Sequence, residues 1–440
     1  MKTMRYRFVS IVVLMCLSLG ALAQTSGTNS AYSRYGWGNR TDVTGSLSLG
    51  MEGVSLGRRG STELNFDNPA SLSAIDSLTF LLDVGMSLTM GRMKYGSTSV
   101  SPNNSTFDYA TAGFRLFRHL GFAVSLQPYT YIGYSFSSDV TLEDVDGYGE
   151  NTAYYNYLGE GGTHKIMGAL GWEPFKGVAI GATFGYLWGD YEHTASTTFS
   201  SSNIQSLYRY YIGEINSYTL DLGAQLTFKV APKAELTLGF KYGFGHKINQ
   251  TSTFMNQKTG SGAVVGADTT VVDNSYELPS SFGVGAMLNL GEQWLFGVDY
   301  TMEKWEGCRF PTNVSTSDET QVYSIATDAF TNRHRVAVGG QYMPDPRSFR
   351  WRDHITYRLG VSYTTPYAKV DGADGATTYS VSAGVGLPIN NRYTTGSILS
   401  VGVQYQHMEP SAGTTITEDY FSIRVGLLFN GRWFQKWKVE

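Results

Sequence analysis

The sequence predicts an all-β chain: a fourteen-stranded antiparallel transmembrane β-barrel with an N-terminal plug (hatch) segment. Three observations predict it. First, near the end of the chain Phe421, Ile423, Val425, Leu427 and Phe429 are large and apolar, while Ser422, Arg424, Gly426 and Asn430 between them are polar or small. A period of two gives a strand one greasy and one wet face. The pattern recurs about fourteen times, in segments of the ~10 residues that a tilted bilayer-spanning strand needs. Second, no run of ~18 apolar residues follows Ala23, so no transmembrane helix is expected. Instead 30 Tyr and 51 Gly accompany only 16% charged residues, as suits a barrel girdled by amphipathic rings. Third, the connections alternate in length. Segments 118–121, 173–177, 230–233 and 291–293 are tight, whereas 92–106, 138–160, 191–206, 249–277 and 306–330 are long and polar. Barrels of this kind have short periplasmic turns and long outer loops. A soluble β-solenoid would not explain the alternation.

The chain opens, over residues 1–23, with the features of a signal peptide. Lys2, Arg5 and Arg7 form a basic start, Val9 to Leu19 an apolar stretch, and Ala21-Leu22-Ala23 a small-x-small cleavage site. Met15 before Cys16 is a poor lipoprotein context, which leaves cleavage after Ala23 and an outer-membrane destination. Residues 24–76 do not alternate. Gly, Asn and Pro punctuate them, and Asn68 before Pro69 reads as the cap of a short helical turn. This segment is expected to fill the barrel, residues 77–430 to form it, and residues 431–440 to lie in the periplasm.

The strands then follow in order by their apolar phase: Leu78 to Leu88, Ala110 to Leu116, and Phe122 to Leu126 running into Pro128. Next come Ile166 to Trp172, Val178 to Trp188, Tyr218 to Phe228, Leu236 to Phe244, Phe282 to Leu290 and Trp294 to Tyr300. Val336 to Tyr342, Ile355 to Tyr363, Tyr379 to Leu387 and Leu399 to Tyr405 precede the closing strand already described. Proline cannot donate to a ladder, and a barrel has no edge strand, so Pro128 requires a bulge or a break in strand three. The inward phase carries Asp83, Arg115, Asp221, Lys241, Asp299, Arg335, Arg358 and Arg424. Such lumen charges either bind a carboxylate headgroup or form ladders that hold the plug and hydrate the interior. Counting up from the strand ends places Asp83 and Arg424 opposite one another at the closing seam.

An even barrel, an Asn68-Pro69-Ala70 triplet just before strand one, and this loop pattern resemble the FadL/TodX outer-membrane transporters of hydrophobic molecules. Tyr32-Ser33-Arg34-Tyr35-Gly36-Trp37-Gly38 and the ending Gly426 to Phe434 look like the divergent Bacteroidota branch of that family. The resemblance implies that Asn68, Pro69 and Ala70 lie in a hatch inside the barrel. It also implies a lateral gap from lumen to bilayer at strand three, marked by Pro128 and Gly133. The function it implies is passive uptake of fatty-acid-like hydrophobic molecules with sideways exit at that gap. The branch also includes barrels that serve secretion or assembly machines, so the alternative is a non-transporting structural or docking subunit of such a complex.

No catalytic constellation is visible, and no enzyme activity, cofactor or metal site is expected. The mature histidines share no ligand spacing, and there is no G-x-S-x-G elbow. Glu143, Asp144, Asp146 and Glu150 read as a solvated acidic loop, without the spacing of a calcium-binding loop. The expected partners are outer-membrane lipid, a hydrophobic small molecule if the barrel transports, and envelope proteins if it docks. Loops or the tail Trp433-Phe434-Gln435-Lys436-Trp437-Lys438 would carry that docking. A net charge of -4 argues against nucleic acid.

Overall fold

A computed structural model describes residues 27–42, 45–142, 151–201, 203–260, 262–315, 321–391, 394–411 and 416–432 of the chain. The expected signal peptide, the acidic loop 143–150 and the tail Trp433 to Lys438 lie outside these residues.

Fourteen antiparallel strands form a closed barrel. They are β1 (Thr79–Tyr95), β2 (Asn103–Phe117), β3 (Leu120–Leu142), β4 (Asn151–Phe175), β5 (Val178–Phe199), β6 (Ser206–Ala231) and β7 (Ala234–Gly243), then β8 (Ser280–Leu290), β9 (Trp294–Lys304), β10 (Arg333–Tyr342), β11 (Thr356–Thr364), β12 (Thr377–Asn391), β13 (Thr394–Glu409) and β14 (Ile416–Arg432). Each strand pairs with the next, and β14 pairs with β1 from Arg432↔Thr79 to Ile416↔Tyr95, which closes the ring. The alternation sorts the faces as expected. Leu88, Phe184 and Leu359 point outward and are exposed, while Asp83, Ser125 and Gln225 point inward and are buried.

The seam departs from the count made on the sequence. Asp83 faces Leu428 and Arg424 faces Ser87, so the two charges sit four positions apart. The two strands end level, with Thr79 opposite Arg432, so the count fails at its starting points: β14 runs three residues past Phe429 and β1 begins at Thr79.

The expected long loops differ too. β3 to β6 run for 22 to 26 residues each, about twice what a bilayer requires. Much of 138–160 and 191–206 is therefore strand, and 249–277 contains the hairpin Ser252–Gly260/Ala263–Val272, which pairs with the start of β6. Tyr154, Tyr157, Tyr208, Tyr210 and Phe254 keep these segments extended beyond the membrane zone, because aromatic side chains favour strands. The outcome is a six-stranded sheet standing beyond the barrel on its long-loop side, which is the outer side. The segment 306–330 holds a second hairpin, Phe310–Ser315/Gln321–Ala326. Its Tyr323 stacks on Phe254, and Phe310 meets Tyr276 edge to face.

Residues 27–76 lie inside the ring of strands. They form turns at Ala31–Arg34, Ser46–Ser48 and Pro69–Ala74 and one short strand, Asn39–Arg40. Most of their order is borrowed from the wall, as the contacts below show.

Candidate functional site: the plug and the opening at strand three

Strand three breaks on both sides of Pro128. Toward β4 the register slips between Pro128 and Thr130, so Tyr129 is an extra residue. Toward β2 the ladder runs from Phe117↔Leu120 to Ala110↔Leu126 and ends there. Above it, Asn103 to Phe107 and Tyr109 pair only with β1, and the rest of β3 pairs with β4. The wall opens between β2 and β3 at this height.

The plug fills the opening. Asn39 pairs with Tyr131 and Arg40 with Thr130, as a short antiparallel strand. Thr41 N donates to Tyr129 O (3.2 Å), and Thr41 Oγ1 donates to Pro128 O (2.8 Å). Ser33 Oγ donates to Gly133 O and accepts from Gly133 N, both at 3.1 Å. From the other side Tyr131 OH donates to Phe107 O of β2 (2.9 Å) and spans the opening. Backbone groups of Pro128 to Gly133 that the missing ladder would leave unpaired thus find partners in the plug. Gly38 permits the approach: its φ is +86°, and a Cβ there would collide with the Tyr131 carbonyl and with Ile132.

A charge cluster clamps this segment to the far wall. Arg40 bonds Glu303 (2.7 Å), donates to Tyr129 O (3.1 Å) and stacks 3.7 Å over the Tyr129 ring. Arg333 bonds Asp42 (2.5 Å) and reaches Glu303 (3.6 Å); Arg335 lies 3.7 Å from Asp42. Burial pushes the Asp42 carboxyl up, but the Arg333 and Arg335 guanidiniums outweigh it and hold the group below its usual value.

Four of the predicted inward charges, Asp83, Asp299, Arg335 and Arg358, hold the plug by its backbone. Asp83 accepts from Ser46 N (2.9 Å) and Oγ (3.0 Å), and Asp299 from Ser55 N (2.6 Å) and Leu56 N (2.9 Å). Arg335 donates to Glu52 O (2.5 Å), and Arg358 to Gln341, Ser400 and Ser46 O. Asp221 and Lys241 pair between β6 and β7 at 3.5 Å. Arg115 sits at the inner rim, where its Nε donates to Phe117 O. Arg424 faces a cavity of about 260 Å³ between plug and wall, lined by polar residues such as Asn39, Thr106, Asp108 and Gln404 and by apolar ones such as Leu49, Val403 and Met408.

Asn68 is fully buried. It caps the Pro69–Ala74 turn by accepting from Ala70 N, and donates to Leu56 O (2.9 Å), Ala224 O (3.0 Å) and Phe240 O (3.4 Å). A Cβ on Gly181 would strike Pro69 and Ala70, and one on Gly223 would strike Asn68.

The outer mouth is packed with aromatics. Trp37 of the plug meets Trp305 and Tyr276 edge to face, each at 6.0 Å between centroids, and Trp305 lies 4.7 Å from Tyr367. Phe330, Tyr191 and Cys308 complete this buried cluster. Burial pushes the Cys308 thiol up to about 12, so it is a packing residue with no reactive thiolate at neutral pH.

Asn39, Arg40, Asp42, Glu303 and Arg333 were not among the sequence candidates. Two opposite charges at strand spacing, Arg40 and Asp42, in a segment otherwise rich in Gly, Ser and Thr were the available signal.

Solved structures share the fold. A Pseudomonas aeruginosa FadL homologue matches with TM-score 0.58 and 13% identity, over 90% of this chain and 100% of that one. The CymD monoaromatic hydrocarbon channel matches at 0.56 and 14% (89% and 98%), and the Ralstonia pickettii toluene transporter TbuX at 0.55 and 13% (89% and 98%). These likenesses place the chain among FadL-type outer-membrane barrels in architecture. No curated protein matches the sequence. The BamG family model matches residues 4–440, and with the whole described barrel and plug inside that span, the chain belongs to the BamG family.

Proposed function

We propose that this chain is a non-transporting outer-membrane barrel that serves as a structural or docking subunit of an envelope assembly complex. The observation that carries the reading is the Asn39–Arg40 strand seated in the opening of β3 and clamped there by Glu303 and Arg333. A sideways route for an apolar molecule needs that opening free. The packed aromatic mouth, buried from Trp37 to Phe330, supports the same reading. The family's name, BamG, also points toward assembly. The test is depletion of the protein in its own cell, followed by quantitation of other outer-membrane barrels. Their levels should fall; unchanged levels with a loss of hydrophobic-compound uptake would contradict the reading.

Passive uptake of hydrophobic molecules is the second reading. It is favoured by the ladder that stops at Leu126, in a fold shared with hydrocarbon channels. It requires residues 27–42 to leave the opening.

A further inference from the structure

The six-stranded outer sheet ends on the strand Ala263–Val272. This strand pairs with Ser252–Gly260 on one side and, among the described residues, with no strand on the other. We propose that this free edge receives an extended segment of a partner polypeptide as a seventh strand; the proposal rests on the docking reading above.

Chains usually blunt such edges with proline, lysine, bulges or a covering segment. The opening at β3 follows that rule, covered by Asn39–Arg40. The edge at Ala263–Val272 has no Pro, Lys or Arg, and Asp268 is its only charge. Val264, Val265, Thr269, Thr270, Val271 and Val272 are β-branched, which favours pairing, and Val271 is 59% exposed. One bulge bends the tip, with Val265 as the extra residue, but from Gly266 to Val272 the register is unbroken. Seven regular residues beyond the membrane present alternating N–H and C=O groups. A lipid tail or apolar solute cannot satisfy that pattern, and an extended backbone can.

Symmetry excludes a second copy as the occupant. Two barrels in one membrane are related by rotation about the membrane normal, which sets upright edge strands parallel and crosses strands tilted by about 40° at up to twice that angle, so neither gives an antiparallel ladder. A parallel ladder is not equivalent on its two strands, because each residue of one bonds two residues flanking its neighbour on the other. An exact two-fold axis therefore places like groups opposite each other. The partner is a different chain, and a basic residue opposite Asp268 would suit it.

The probe is a labelled peptide with the sequence of Ser252–Gly260, a strand that already pairs antiparallel with the inner side of Ala263–Val272 and carries Lys258. Binding to the detergent-solubilised full chain is read by fluorescence anisotropy, beside the same peptide methylated on alternate backbone nitrogens. The unmodified peptide should bind saturably. Methylation, or Val271→Lys in the protein, should weaken it at least tenfold. Equal binding of the methylated peptide, or no binding, overturns the edge proposal. Hydrogen exchange in native outer membranes provides the second arm. Amides of 266–272 should be protected relative to the isolated barrel. If the protein migrates in a larger complex but these amides exchange as in isolation, the edge proposal falls and the docking reading stands. If it migrates alone, both fall.

Discussion

Arg40 joins three surfaces at once: the Glu303 carboxylate of β9, the Tyr129 carbonyl and the Tyr129 ring of β3. A planar guanidinium can do this and an ammonium cannot. Arg40→Ala should loosen the closing segment by about 1–3 kcal/mol, less than the loss of an isolated buried pair, because Glu303 keeps Arg333 and the Trp305 Nε1 donor. Amide exchange at Thr130 to Gly133 reads this as roughly a tenfold to hundredfold loss of protection. Arg40→Lys should recover only part of it. Asp42 gives the pH dependence. Its carboxyl is held below the usual range, so its stabilisation is fully present above the ordinary carboxylate pKa and is lost as pH falls through the lower, folded value. Exchange at Gly38 to Thr41, corrected for intrinsic rate, should be unchanged from pH 7 to pH 5 and should rise only below about pH 4. Asn68→Ala removes the cap of the Pro69–Ala74 turn and the amide donor to Leu56 O and Ala224 O, although Leu56 O keeps Gln225 Nε2, and should cost about 0.5–2 kcal/mol in the thermal stability of the purified barrel.

Among the elements, the short strand Asn39–Arg40 depends on Gly38. Gly38→Val puts a β-branched residue at positive φ and against the Tyr131 carbonyl, at a cost of about 2 kcal/mol or more. Protection at Thr130 to Gly133 should drop, while the β11–β12 ladder across the barrel should keep its exchange rates. Barrel strands such as β8 and β9 were legible because a period of two survives in any wall with lipid on one side. The outer parts of β3 to β6 were not: past the membrane both faces are wet, and the apolar phase that marks a strand fades. The seam register was hidden because the apolar phase does not show where a strand ends: it stops at Phe429, while the closing strand pairs on to Arg432. Pro128 was legible as a disruption, because a missing donor is visible in one residue. What occupies the break was not, since Asn39 and Arg40 gain their extended form from β3, ninety residues away in the chain.

At the scale of the whole molecule, three barriers lie in series from outside inward. The Trp37–Trp305–Tyr367 cluster fills the mouth, the Asn39–Arg40 strand fills the lateral opening, and the turn capped by Asn68 rests on the wall glycines of β5 and β6. The edge strand Ala263–Val272, by contrast, is part of none of the three and presents surface rather than passage. The most direct test is the flux of a fluorescent hydrophobic probe into liposomes containing the purified chain, with and without an Asn39→Cys/Tyr131→Cys disulfide across the paired positions. Neighbours in an antiparallel ladder are close enough for that bond. We expect flux no faster than in protein-free liposomes, in the oxidised and the reduced state alike. Faster flux through the unmodified chain, abolished on locking and restored on reduction, would show that the segment is a gate and the barrel a channel.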